Sequence, residues 1–219
     1  MAGYKAHMAF GMVTALGWTV LAVMFSIISL WFIPLIFITT VLGAFLPDLD
    51  SDTGMPMKIL LLMLSATGAV MIGWIIINQD GITLIKLGGY TVFSALFIYF
   101  GIGWILKKLT HHRGIFHSIP ACIVSILLPL LFLDQFELDL KLKMALSLGV
   151  GFGYLCHLIL DEMNSVVNLG GIPFIPNKSS GTALKFYSKN WRINFIVYTL
   201  IGWLSYQNWG TVMEFIKEL

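Results

Sequence analysis

Seven apolar runs divide the chain, near residues 8–26, 30–46, 58–77, 88–106, 116–133, 142–160 and 192–206. Each approaches the roughly 20 residues that cross a bilayer as a helix. The pattern predicts an all-α, polytopic membrane bundle of about seven (six to eight) transmembrane helices. The first two runs are almost continuous; Ser29 and the helix break imposed by Pro34 divide them into a helical hairpin between Ser26 and Pro34. Polar joints separate the rest: "PDLDSDTGMP", "NQDGITLIK", "KKLTHHRG", "DQFELDLK" and a long joint over residues 162–191. That last joint, rich in Gly, Pro, Asn and Ser, is the one connection long enough to form a lid or substrate platform. No stretch has room for a separate soluble domain, so residues 1–219 read as a single integral membrane domain.

Composition agrees with the pattern. The 219 residues are 58% hydrophobic and 11% charged, with a mean hydropathy of +0.88, whereas a soluble domain carries about 25% charged residues. The first run has no clear small-residue cleavage site and is expected to stay in the mature protein. A net charge of +2, without a basic run interleaved with aromatics, argues against a nucleic-acid partner. Cys122 and Cys156 fall inside apolar runs, where packing is their expected role. "GVGFG" (Gly149 to Gly153) also sits inside a run, and reads as close helix packing instead of a phosphate loop.

If the chain alternates across the bilayer, His7, the "LPDLDSD" segment, the "HHRGIFHS" segment and the His157/Asp161 pair all arrive on one side. That side also carries Lys5, Lys58, Lys107, Lys108, Arg113, Lys178, Lys185, Lys189 and Arg192, against Lys86, Lys141, Lys143 and Lys217 on the other. The positive-inside rule then puts the N-terminus and the polar clusters at the cytoplasmic face.

The clusters carry metal-binding chemistry. His157 and Asp161 are four apart on a helix, hence on one face and one turn apart, as two ligands of one ion require. Asp48, Asp50 and Asp52 alternate just after Pro47, an arrangement by which irregular segments hold divalent cations. His112 and His117 share one site only if the helix begins near Gly114 with His112 in the loop before it. Arg113 beside them offers a planar fork for phosphate or carboxylate, and Ser118 is placed to cap the new helix or to bond a ligand. His7 begins the first run, and "GYKAH" (Gly3 to His7) echoes "GYLCH" (Gly153 to His157). Solvated helix ends account for any one cluster. They account poorly for all four together, because an ionised carboxylate at the end of an apolar span needs a partner.

On these residues the sequence resembles the YdjM-like family of bacterial inner-membrane proteins, described as membrane-bound metal-dependent hydrolases. The resemblance rests on His7, "LPDLD" (Leu46 to Asp50), "HRGIFHS" (His112 to Ser118), "GYLCHLILD" (Gly153 to Asp161) and the following "GGIPFIP" (Gly170 to Pro176). Phe116 stands where threonine is usual and Ser51 where histidine is common. The resemblance implies a metal site of His7, Asp48, Asp50, His112, His117, His157 and Asp161. More remotely, the pattern is similar to zinc-dependent phospholipases C.

The expected function is a membrane-embedded hydrolase holding one to three divalent ions, expected to be zinc, and acting on an ester or phosphoester of a lipid or lipid-linked substrate through metal-activated water. Arg113 would clamp the anionic group and Asp50 would act as general base. The alternatives are a transporter of metal ions or anions, for which the spans are poor in midplane ionisable groups, and a non-catalytic lipid-binding protein with a structural metal.

Overall fold

The computed structural model describes residues 4–50, 55–77, 82–104, 116–166, 184–188 and 190–218, and apart from one isolated bridge all regular structure among them is helical. Helix α1 (Tyr4–Met24) is followed by a 3-10 turn (Leu30–Phe32), α2 (Ile33–Phe45) and a second 3-10 turn (Leu46–Asp50). Next come α3 (Met55–Ile77) and α4 (Leu84–Leu96), which runs on as a π-helical segment (Phe97–Ile102). Then follow α5 (Ile119–Leu133), α6 (Leu140–Val166), α7 (Trp191–Gln207) and α8 (Trp209–Glu218).

All seven apolar runs carry a helix. Four segments are long and apolar enough to cross a bilayer: Lys5–Met24, Leu30–Asp48, Leu84–Gly101 and Leu140–Ser165. α5 is apolar but only 15 residues long. The hairpin break falls where expected: Ser26 takes a positive φ of 54°, and the Ile27 N–H reaches back to Ala22 O at 2.8 Å. Pro34 sits in the first turn of α2, where its missing N–H costs nothing. α8 lies beyond the last apolar run. It is short and has no fully buried residue, and Asn208, between α7 and α8, donates to Leu204 O of α7 and to Leu127 O of α5.

Two helix ends differ from expectation. α5 starts at Ile119, later than Gly114, because Ser118 is extended (φ −157°, ψ 157°), its hydroxyl accepts from Ala121 N at 3.4 Å, and Pro120 opens the first turn. His117 therefore precedes the helix. α6 continues to Val166, so Asp161 lies within a helix and not at its end. Asn164 donates to Leu160 O and Ser165 to Glu162 O, so these polar side chains bond back onto the helix they extend.

The helices form two compact units, residues 48–114 and the remainder of the chain. In the smaller unit α3 packs on α4 and its π-helical continuation, with Gly103 admitting Leu61 and Gly68 admitting Ile98. In the larger unit α6 is the hub, contacting α1, α2, α5 and α8, while α7 packs on α5.

Rows of residues four apart organise that hub, one on each of three helices. α1 buries His7, Gly11, Ala15 and Thr19; α2 buries Ile36, Thr40 and Ala44; α6 buries Gly149, Gly153, His157 and Asp161. Residues four apart form a ridge on a helix surface, and small residues along it let backbones approach. A Cβ on Gly153 would run into the Thr40 carbonyl oxygen and lie 2.8 Å from Ala44 N; one on Gly149 would lie 2.6 Å from Thr40 Oγ1. A Cβ on Gly151, on another face, would strike Ile126 of α5. "GVGFG" is therefore a two-sided packing surface. Polar groups in this interior are bonded locally: Trp18 donates to Ala145 O at 3.0 Å, Thr40 to Ile36 O at 2.8 Å and Thr14 to Cys156 Sγ at 2.9 Å. Both cysteines are buried free thiols, in keeping with a packing role.

Gly153→Ala is expected to force α2 and α6 apart and cost about 1–3 kcal/mol, the usual penalty of overpacking. Gly17→Ala on α1, with nothing within 4 Å of its new methyl, should be neutral or stabilising by up to about 1 kcal/mol. Unfolding midpoints of the two variants in one detergent check the contrast.

Candidate metal centre

The α6 row ends in His157 and Asp161, and two other parts of the larger unit meet it there. His7 comes from the first turns of α1, and His117 from the extended residues before α5. All four side chains are buried, with relative exposures of 3% for His7, 5% for His117, 1% for His157 and 4% for Asp161. His7 Nε2 lies 3.3 Å from Asp161 Oδ1; His117 Nε2 and His157 Nε2 lie 3.5 and 3.6 Å from Asp161 Oδ2. The His7 and His157 rings stack at 3.8 Å with 12° between their planes, and His117 meets His157 edge-on at 5.6 Å.

These separations point to the chemistry. An ordinary N–H···O bond spans about 2.7–3.2 Å, and all three N···O distances are longer. Donor atoms bound tetrahedrally to zinc at about 2.0–2.1 Å lie about 3.3–3.4 Å from one another, close to what is observed. One ligand atom each from His117, His157 and Asp161 lies within 4.8 Å of the other two. The donor set, imidazole nitrogen with one carboxylate, suits zinc and related divalent ions. His7 Nδ1 is buried with no hydrogen-bond partner, a polar atom of the kind an added ligand or water satisfies.

The backbone fixes the ring orientations. His157 Nδ1 is 2.7 Å from Ala44 O. A carbonyl can only accept, so Nδ1 carries the hydrogen and a neutral His157 turns the lone pair of Nε2 toward Asp161. The glycine contact between α6 and α2 brings that carbonyl within reach. The His117 stretch is tethered on two sides: the Tyr154 hydroxyl donates to Phe116 O, and Ile119 N–H donates to Lys185 O at 3.0 Å within the Ser118–Lys185 bridge. Ser118 caps α5, as one of its two expected roles required.

Within the larger unit, four of the residues expected to bind metal, His7, His117, His157 and Asp161, are thus brought together. Asp48 and Asp50 lie on the 3-10 turn after α2, at the start of the smaller unit. His112 and Arg113 lie outside the described residues. Of the joint over 162–191, residues 162–166 extend α6, 167–183 and 189 lie outside the described residues, and 184–188 run alongside the start of α5 and α7. There Tyr198 donates to Phe186 O, and Asn194 makes a two-bond clasp with Ser188. Sequence reasoning gave no role to the Ala44 carbonyl, which as backbone has no residue signature. It quoted Tyr154 in "GYLCH" without assigning it one, although a tyrosine three residues before a site histidine lies on nearly the same helix face.

A helical, multi-pass membrane protein with a buried cluster of histidines around one aspartate is the class these features define. The family model of the YdjM inner membrane protein matches residues 1–216, and the chain belongs to that family. No curated protein and no solved structure matches it.

Tyr154→Phe removes the bond that ties Phe116, and hence His117, to α6. It is expected to cost about 1 kcal/mol of stability, measured as a lower unfolding midpoint than wild type in the metal-stripped protein.

Proposed function

We propose that this protein is a membrane-embedded, metal-dependent hydrolase of a lipid or lipid-linked ester or phosphoester, and that zinc is its metal. The observation that carries the reading is the convergence of three imidazole nitrogens on the two oxygens of Asp161 at 3.3–3.6 Å. In a buried, apolar setting an ionised carboxylate is costly without a cationic partner. A divalent ion removes that cost by accepting the lone pairs the residues present.

His117, His157 and Asp161 form the inner ligand set, with His7 completing the cluster on the Oδ1 side. The sequence motifs nominate Asp48, Asp50 and His112 as the further ligands of a site holding one to three ions. Such an ion, when bound, supplies Lewis acidity and makes water a nucleophile near neutral pH. Asp50 is assigned the proton of that water. Arg113 is assigned the anionic group, which its planar guanidinium can clamp through two parallel bonds while offsetting the charge that builds in the transition state. A cluster buried among apolar helices favours a substrate whose tail stays among the helices while its head reaches the ligands. The nine-to-four distribution of basic residues supports a cytoplasmic site, and the joint over 162–191 is the segment assigned to substrate contact.

Elemental analysis of the purified protein tests the reading first: stoichiometric zinc is expected, and retention should be lost in both His157→Ala and Asp161→Ala while each variant still folds. With a panel of lipid phosphates, chelation should abolish hydrolysis, and Arg113→Ala should lower kcat/KM by about 10²-fold or more, the scale of losing one transition-state donor. Unchanged metal content in both ligand variants overturns the assignment.

A further inference from the structure

The "LPDLD" segment attracts attention for its carboxylates, but its proline has a structural effect that reaches the cluster. α2 tightens as it ends: the Leu46 N–H bonds to Gly43 O, three residues back, and the turn that follows, Leu46–Asp50, keeps the 3-10 register. In that register the next bond would run from the N–H of residue 47 to the carbonyl of residue 44. Residue 47 is a proline, which has no N–H. The Ala44 carbonyl is the group left without this donor, and it is the one to which His157 Nδ1 turns at 2.7 Å. Pro47 is fully buried, as are Ala44 and His157, so water is a poor substitute donor. The Gly153 contact holds the carbonyl and the ring at this distance.

We propose that Pro47 is a positioning residue: by withholding a backbone hydrogen from Ala44 O, it reserves that carbonyl for His157, locks the ring in its Nδ1–H form and turns Nε2 into the cluster. The inference rests on the metal reading only for its consequence. The tautomer itself is a property of the metal-free protein.

The test uses full-length protein labelled with ¹⁵N-histidine, stripped of metal and examined by long-range proton–nitrogen correlation at about pH 8.5, where an ordinary imidazole is neutral. Wild type should show an Nδ1–H histidine signal that disappears in His157→Asn. In Pro47→Ala that signal should shift toward the Nε2–H form, and zinc affinity, measured by competition with a chromophoric chelator, should fall 10- to 100-fold, as on loss of a partner that orients a ligand. Pro47→Val brings the same new N–H while filling more of the buried ring's space, and serves where the alanine variant does not fold. Placing the alanine side chain on a backbone ester, which removes the ring without adding an N–H, should leave tautomer and affinity as in wild type. Pro34→Ala, in the first turn of the same helix, should do likewise. An Nε2–H His157 in wild type, or a wild-type tautomer in both Pro47→Ala and Pro47→Val, overturns the proposal. A wild-type protein that binds no zinc but shows the tautomer change overturns the metal reading and leaves this one standing.

Discussion

The contact between α6 and α2 is one of backbone on backbone, and the rest of the larger unit depends on it. Gly149 and Gly153 remove the side chains that would otherwise hold the helices apart. In lipid there is no hydrophobic gain from bringing two apolar helices together, so association rests on dispersion and on whatever polar contacts close approach allows. Here close approach allows Ala44 O to meet His157. Packing and chemistry are two ends of the same row: four residues on from one glycine is the next, four further is a histidine, and four further is the aspartate.

The same economy explains why four polar side chains are tolerated in the interior. His7 precedes Gly11 and Ala15 in the same row of α1, so the face that buries it is the face that packs. Each of the four finds a counterpart on another segment, and His157 and Asp161 also face each other along α6. Polar groups that can only be satisfied between helices define one arrangement among the many an apolar bundle could adopt. The cost of burial thereby becomes a source of specificity.

Much of this was legible in the sequence. The His157/Asp161 pair could be read because a spacing of four on a helix has only one geometry, and "GVGFG" because glycines within an apolar run have little else to do. Each of the seven apolar runs marked the place of a helix through its length alone. What escaped were features whose signal is not in side-chain type. The Ala44 carbonyl belongs to an alanine like any other. The start of α5 at Ile119 depends on the Ser118 cap and on Pro120 in the first turn, and the extension of α6 past Asp161 depends on Asn164 and Ser165 bonding back onto their own helix. The helix from Trp209 to Glu218 was missed because ten residues of mixed polarity resemble a tail more than a span.

The order in which the cluster's members occur along the chain has a bearing on biogenesis. α1 is made well before α6, and it carries an imidazole whose carboxylate counterpart, Asp161, is made only after five further described helices have begun. Until then α1 must reside in lipid with part of its polar complement unmet, and the docking of α6 is what ends that exposure. Docking of α6 would thus close a cluster that α1 had opened. A chain truncated before that helix would leave its first one poorly anchored and open to quality-control proteases.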